Sequence, residues 1–448
     1  MISVPSLSGK NVVVMGLGKS GTATARALAK VGANVTAWDD GAAARKAAAD
    51  AGVVVAEPKL EGIDLVVWSP GIPHTHPTEK AHPMAARVRA AGIPLVCDVE
   101  LLARAKPGNV MLGVTGTNGK STTTTLLAHI LAAAGREVAA GGNLGTPALD
   151  MPDLGPEGRY VLELSSYQLE LVENLSLKAG VLLNITPDHL GRHGGMGGYV
   201  AAKRRLFDRL APNGVAVLGV DDDYCAHMAD VLEGDGLNVV RISAEETLMR
   251  GVSAADGILR LNGVPVCDLR PIARLPGRHN WQNACAAFAL AHADGVAPEV
   301  IASALASYPG LAHRQQLVAE FGGVAYINDS KATNADATEK ALVCYENIHW
   351  ILGGQPKEGG IDSLVPHFDR IKHAYLIGDA AEDFARVLAA SDVPYTLCGS
   401  MLMAVTKAAA TAEPGDVVLL SPACASWDQF KSFEHRGDVF RELVEAQR

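Results

Sequence analysis

Short aliphatic runs that end in a glycine-bearing turn and give way to a helical stretch recur along this chain, and that alternation constrains its fold more than any other feature. The first instance is the clearest: strand-like Asn11 to Met15, the turn Gly16-Leu17-Gly18-Lys19-Ser20-Gly21, a helix to Val31, and a second strand from Asn34 to Trp38. Two strands joined by a helix must run parallel, with the helix on one face. Further runs follow at Leu65 to Trp68, Pro94 to Val96, Val110 to Val114, Tyr160 to Leu164, Gly180 to Leu183, Val324 to Ile327, Trp350 to Leu352, Ala374 to Ile377 and Val417 to Leu420. The predicted class is α/β.

With 448 residues, 48% of them apolar, the chain exceeds one ordinary core and supplies two or three. Pro107-Gly108 and Tyr308-Pro309-Gly310 interrupt the pattern. The reading is three domains: a Rossmann-like N-terminal domain over 1–107, a central P-loop ATPase domain with a mainly parallel sheet over 108–310, and a Rossmann-like C-terminal domain over 311–448. The net charge of -10 argues against nucleic acid and anionic membranes as partners. Seven scattered cysteines without paired spacing suggest neither a disulfide framework nor a zinc site, and a reducing compartment fits them. No run approaches membrane-spanning length and no charged leader precedes the first strand, so a cytoplasmic protein without membrane insertion is expected.

Gly113-Val114-Thr115-Gly116-Thr117-Asn118-Gly119-Lys120-Ser121 lies between an apolar strand and the helical Thr122 to Ala134. Backbone N–H groups and the helix N-terminus can wrap a triphosphate there, with Lys120 against the β and γ phosphates and Ser121 on magnesium. Valine at 114 breaks the usual P-loop spacing. The earlier turn, with Gly16, Gly18 and Gly21 followed by Asp39 and Asp40, also meets the dinucleotide pattern and keeps a nicotinamide-dependent oxidoreductase open. A nucleotide-switched protein that hydrolyses ATP without ligation is a third reading.

Glu163 closes a strand at a sheet's carboxyl edge, a position suited to metal, and Asn184 to His189 follows the next strand. On the helix beginning at Tyr199, Val200, Lys203, Phe207 and Leu210 form an apolar stripe, which directs Lys203 inward. An inward lysine needs a partner or must lose its charge; a neutral amine can take up carbon dioxide and become a metal-binding carbamate. In the last third, Asn328 to Asn334, Gly353 to Lys357 and Ser421 to Phe430 are polar loops after three strands, as a binding cleft requires.

Gly116 to Ser121, Glu163-Leu164-Ser165-Ser166, Asn280 with Asn283, Asn328 to Asn334 and Ser421 to Phe430 together resemble the Mur ligases, over the whole chain. The last two stretches look most like the members that add D-glutamate. The resemblance implies an ATP-dependent amide ligase of peptidoglycan precursor synthesis that takes UDP-N-acetylmuramoyl-L-alanine, D-glutamate and ATP and acts as a monomer. Another Mur ligase, or one adding L-glutamate, is the neighbouring reading. By the same resemblance, Gly116, Thr117, Asn118, Gly119, Lys120, Ser121 and Thr122, with Asn280, Asn283, Arg314, Asp329 and Lys331, serve ATP. Two Mg2+ ions are held by Ser121 and Glu163, and by Glu163, His189 and carbamoylated Lys203. Gly16, Gly18, Ser69, Gly71 and Asn143 face the uridine nucleotide, and Thr333, Lys357, Ser426 and Phe433 hold D-glutamate.

Overall fold

The computed structural model describes residues 1–143, 145–356 and 359–447, and its strands form three separate sheets. The first is wholly parallel, with β1 (Asn11–Met15), β2 (Asn34–Trp38), β3 (Leu65–Trp68) and β4 (Leu95–Val96) in the order β2-β1-β3-β4. Valine-rich β1 and β3 are buried along nearly their full length, as strands covered on both faces must be.

The central sheet contains β5 (Val110–Thr115), β6 (Val138–Gly142), β7 (Arg159–Glu163), β8 (Leu177–Leu182), β9 (Leu210–Gly219), β10 (Asn238–Ser243), β11 (Val252–Ser253), β12 (Ile258–Leu261) and β13 (Val264–Asp268). Their order is β13-β12-β11-β10-β9-β8-β5-β7-β6, parallel from β6 to β11 and antiparallel beyond. The third sheet contains β14 (Gln316–Phe321), β15 (Val324–Asn328), β16 (Ile348–Gly353), β17 (Ile371–Ile377), β18 (Tyr395–Gly399) and β19 (Val417–Leu420), in the order β14-β15-β19-β16-β17-β18 with only β14 antiparallel. The expected α/β class with mainly parallel sheets is what the chain adopts.

The chain divides into two compact units. One comprises 1–269 with 280–307, and the other 270–279 with 308–448. Within the first unit a continuous apolar core runs from Val12 and Val66 of the first sheet to Leu149, Leu162 and Leu182 around the second. In the other, the third sheet is buried on both faces.

One local expectation needs correction. The stripe from Val200 does not continue as one helix to Leu210: the helix Met196–Arg204 ends, a tight turn Phe207–Arg209 follows, and Leu210 opens β9. Leu210 is apolar because a strand start needs it too. Beyond His189, Leu190–His193 forms one helical turn closed by Gly194. Among the described residues, no helix is long and apolar enough to cross a membrane.

Candidate active site

The phosphate-loop turn leaves β5 at its carboxyl edge and enters the helix Lys120–Ala133. Gly116 and Gly119 have φ of +153° and +84°, which only glycine adopts without cost, and Leu183 Cβ would lie 2.9 Å from a Cβ at 116. Asn184, just past β8, pins the turn from outside. Its Oδ1 accepts from the Asn118 amide at 2.8 Å, and its backbone carbonyl accepts from the Thr117 amide at 2.9 Å. Gln282 on the helix Arg278–Ala293 accepts in turn from Asn184 Nδ2. Nearby Asn283 is buried, accepting from Thr123 Oγ1 and donating to Asn280 Oδ1, both at 3.2 Å.

Lys120 curls across this turn, its Nζ donating to the carbonyls of Gly116 at 3.0 Å and Thr117 at 2.8 Å. Lys203 reaches the same place from another helix: only 1% exposed, it donates to the Gly116 carbonyl at 2.8 Å and lies 4.7 Å from the centre of the Tyr199 ring. The inward direction read from the stripe is therefore correct. Burial first, and then repulsion from Lys120, holds the Lys203 amine well below the usual lysine range. Tyr199 shares a 3.1 Å hydrogen bond with Thr117 Oγ1, which closes the ring of contacts around the turn.

Glu163 ends β7 beside Val114 of β5, so its carboxylate stands at the sheet edge from which the turn springs. It is 3% exposed; Oε1 accepts from Asn143 Nδ2 at 2.7 Å, and Oε2 is buried with no hydrogen-bond partner among the described residues. A buried carboxylate oxygen in that condition is costly unless a cation answers it. With the Ser121 hydroxyl at the helix start, it fits magnesium, which takes one or two protein oxygens and completes its shell with water and phosphate.

His189 caps the next turn with φ +52° and packs 5.3 Å from the Tyr167 ring. Burial pulls its imidazole below the usual range, Asp188 opposes this, and neighbouring Lys120, His193 and Lys203 reinforce it. No cluster of three His, Cys, Asp or Glu side chains able to hold a metal occurs among the described residues.

On the first sheet, Gly16 has φ +90°, and a Cβ there would fall 2.5 Å from that of Ser69, so the β1 turn and the Ser69-Pro70-Gly71 loop meet at one edge. Asp39 is committed to its own turn: Oδ2 accepts from Leu17 N at 2.7 Å and Oδ1 from Gly41 N at 2.8 Å. That commitment counts against the ribose-binding acid of the oxidoreductase reading. Asn143, assigned to the uridine side, is held against Glu163.

In the second unit, Asp329, Lys331 and Thr333 follow the carboxyl end of β15, and Ser426 and Phe433 follow that of β19, its hydrogen-bonded neighbour. Asp329 accepts from Ser421 Oγ at 2.8 Å and from Gln315 N at 3.1 Å, and burial raises its carboxyl to about 7. Lys331 Nζ lies 4.0 Å from the centre of the Phe433 ring. Arg314 precedes β14 in the same unit, and Lys357 lies outside the described residues. Trp427 is 67% exposed.

Sequence reasoning passed over Arg436, which is fully buried and donates to Ser330 Oγ and to the carbonyls of Ser330, Cys424 and Ala425. It ties the 328–334 and 421–430 loops together. Its signal was available, because Phe433, Arg436, Gly437, Phe440 and Val444 recur on one helical stripe.

A glycine-rich turn at the edge of a parallel sheet, with two lysines on one of its carbonyls and an unanswered buried carboxylate alongside, defines an α/β enzyme that handles a nucleoside triphosphate. Residues 114–291 match the Mur ligase middle domain and residues 313–424 the Mur ligase glutamate ligase domain. The chain belongs to the Mur ligase family. It is 64% identical to the UDP-N-acetylmuramoylalanine--D-glutamate ligase of Paramagnetospirillum magneticum, covering 100% of this chain and 98% of that one. It is 55% identical to the protein of the same name from Rhodospirillum rubrum, over 99% and 96%. Among solved structures, the UDP-N-acetylmuramate-alanine ligase of Thermotoga maritima superposes with a TM-score of 0.63 at 17% identity, over 98% of this chain and 100% of that one. MurF of Acinetobacter baumannii gives 0.58 at 22% identity over 77% and 79%. These two likenesses establish the fold.

Proposed function

We propose that this chain joins D-glutamate to UDP-N-acetylmuramoyl-L-alanine in the cytoplasm, converting ATP to ADP and phosphate through an acyl phosphate. The observation that carries this reading is the convergence of Lys120 and Lys203 on the Gly116 carbonyl, beside the unpartnered Glu163 oxygen. Relatives that share most of this chain's length carry the name of that activity.

The muramoyl-bound alanine carboxylate attacks the γ phosphorus, and the D-glutamate amine then displaces phosphate from the acyl carbon. Both steps bring anions together, so positive groups fixed in advance matter most. Lys120 and the amides of Gly116 to Thr122 hold the β and γ phosphates, and Asn280 and Asn283 meet the nucleotide. Magnesium, when bound, would supply charge neutralisation; Ser121 and Glu163 would hold one ion, and Glu163, His189 and carbamoylated Lys203 a second. The depressed Lys203 amine supports that last role, because only the neutral form adds carbon dioxide. Gly16, Gly18, Ser69, Gly71 and Asn143 receive the uridine nucleotide. From the second unit, Arg314, Asp329 and Lys331 serve ATP, while Thr333, Lys357, Ser426 and Phe433 hold glutamate. The three assigned regions, 1–107, 108–310 and 311–448, divide this labour.

Phosphate release from ATP with magnesium and UDP-N-acetylmuramoyl-L-alanine tests the reading. D-glutamate should be required, with L-glutamate and diamino acids inactive; equal release without any amino acid would refute it.

A further inference from the structure

The turn Leu190–His193 carries His189 at its start and two buried residues, Arg192 and His193, at its end. Arg192 is 7% exposed, and its guanidinium donates to the carbonyls of Pro70, Ile72 and His76 at 3.4, 3.2 and 3.4 Å. Each bond is long, so their effect lies in number: all three form only when the loop after β3 holds one conformation. The same guanidinium lies 4.8 Å from the centre of the Tyr167 ring, which also packs 5.3 Å from the His189 ring. A chain of direct contacts thus runs from the 70–76 carbonyls through Arg192 and Tyr167 to His189.

A second line runs parallel to it through Glu170. His193 Nδ1 donates to Glu170 Oε1 at 2.9 Å, and His74 Nε2, from the loop after β3, lies 3.0 Å from Oε2, at ion-pair distance. Arg192 adds a 3.8 Å ion pair to that carboxylate. Arg89 donates to His74 Nδ1 at 2.6 Å, which fixes the tautomer that leaves Nε2 as the donor. On its far side, His193 Nε2 lies 2.9 Å from the hydroxyl of buried Ser166, three residues beyond Glu163. The two histidines hold Glu170 well down, at about 2, against the burial that would raise it.

Burying a carboxylate, a guanidinium and two imidazoles is an expensive way to join two sheets when the surrounding core is apolar. What such groups add over aliphatic packing is a fixed geometry. We propose that Arg192 and the His74–Glu170–His193 node form a positioning clamp, holding the 69–76 loop in register with His189 and Glu163. This rests on the ligase reading, in which that loop takes the uridine nucleotide and the far end of the same substrate must meet the γ phosphate. Arg192 and Glu170 act through the residues they hold and touch no reacting atom.

Steady-state kinetics on the full-length protein tests the clamp, with ATP, D-glutamate and UDP-N-acetylmuramoyl-L-alanine varied in turn. A misplacement of about 1 Å costs on the order of a hundredfold. Arg192→Ala and Glu170→Gln should therefore lower kcat/KM for the uridine-linked substrate about a hundredfold, with KM for ATP within about threefold of wild type. Arg192→Lys, which keeps the charge but loses the planar fork, should fall between, and Glu170→Asp should recover part of the loss. His74→Phe cuts only the second line and serves where Arg192→Ala fails to fold. Parallel losses in ATP binding and thermal stability would mean simple structural support and overturn the clamp. So would near-wild-type activity in Arg192→Ala and His74→Phe alongside an active wild type. A wild type that does not ligate removes the functional reading itself, and the clamp with it.

Discussion

Replacing Gly119 with alanine is expected to damage ATP binding selectively, by an amount the geometry sets. The residue sits at φ +84°, and a Cβ there would lie 2.2 Å from Asn283 Oδ1 and 3.1 Å from Leu183 Cδ1. Holding alanine in the left-handed region costs about 1 kcal/mol. Asn283 is 2% exposed and cannot swing into solvent; turning its amide away breaks the bonds with Thr123 and Asn280, at about 1 kcal/mol each. The total is about 3 kcal/mol. A free chain can relax the turn and escape much of this, whereas a bound triphosphate demands the tight form, so the cost should fall mainly on binding, as a loss of about a hundredfold. Calorimetric titration with ATP, alongside thermal unfolding of the same variant, measures both shares. Affinity within twofold of wild type together with an unchanged Tm would refute the reasoning, because the penalty would then have gone nowhere.

Other substitutions probe separate parts of the site. Because the depressed Lys203 amine binds fewer protons in the folded chain than in the unfolded one, wild-type stability should rise with pH toward the ordinary lysine value of 10.5. Lys203→Met should lack that slope, be the more stable protein near neutrality by calorimetry, and fail to ligate, while Lys203→Ala should regain some ligation with short carboxylic acids. Glu170 gives a slope of the same sign in the acid range: its folded value of about 2 lies below the ordinary 4.5, so its contribution is complete above about pH 4.5 and disappears as pH falls through 2. Acid unfolding monitored by circular dichroism should lose this limb in Glu170→Gln. In the second unit, Arg436→Met strands the buried carbonyls of Ser330, Cys424 and Ala425, and the unfolding transition of that unit should weaken by about 3 kcal/mol or more.

Sequence displayed those parts of the molecule whose chemistry is local. The strand, glycine turn and helix around Lys120 are contiguous, so their conformation follows from neighbours in the chain. Lys203 was legible because a lysine on an apolar stripe contradicts its surroundings. Arg436 carries the same contradiction, but exposed Glu434 and His435 precede it and give the segment a surface character. Arg192 and Glu170 were invisible for a different reason: their partners at 70–76 and His74 lie about a hundred residues away, and only folding brings them together. The antiparallel strands β11 to β13 escaped because β11 has two residues and β12 and β13 are only partly buried, leaving little apolar signal. Asn184 was noted only as part of a loop, and its grip on the phosphate turn depends on β8 lying next to β5.

The acyl phosphate is the central claim, and isotope transfer tests it directly. UDP-N-acetylmuramoyl-L-alanine labelled with 18O in the alanine carboxylate is turned over with ATP, magnesium and D-glutamate, and the released phosphate is analysed by mass. Attack of that carboxylate on the γ phosphorus, followed by loss of phosphate from the acyl carbon, must deliver one labelled oxygen to every phosphate released from fully labelled substrate. Amide product formed with unlabelled phosphate would contradict the account.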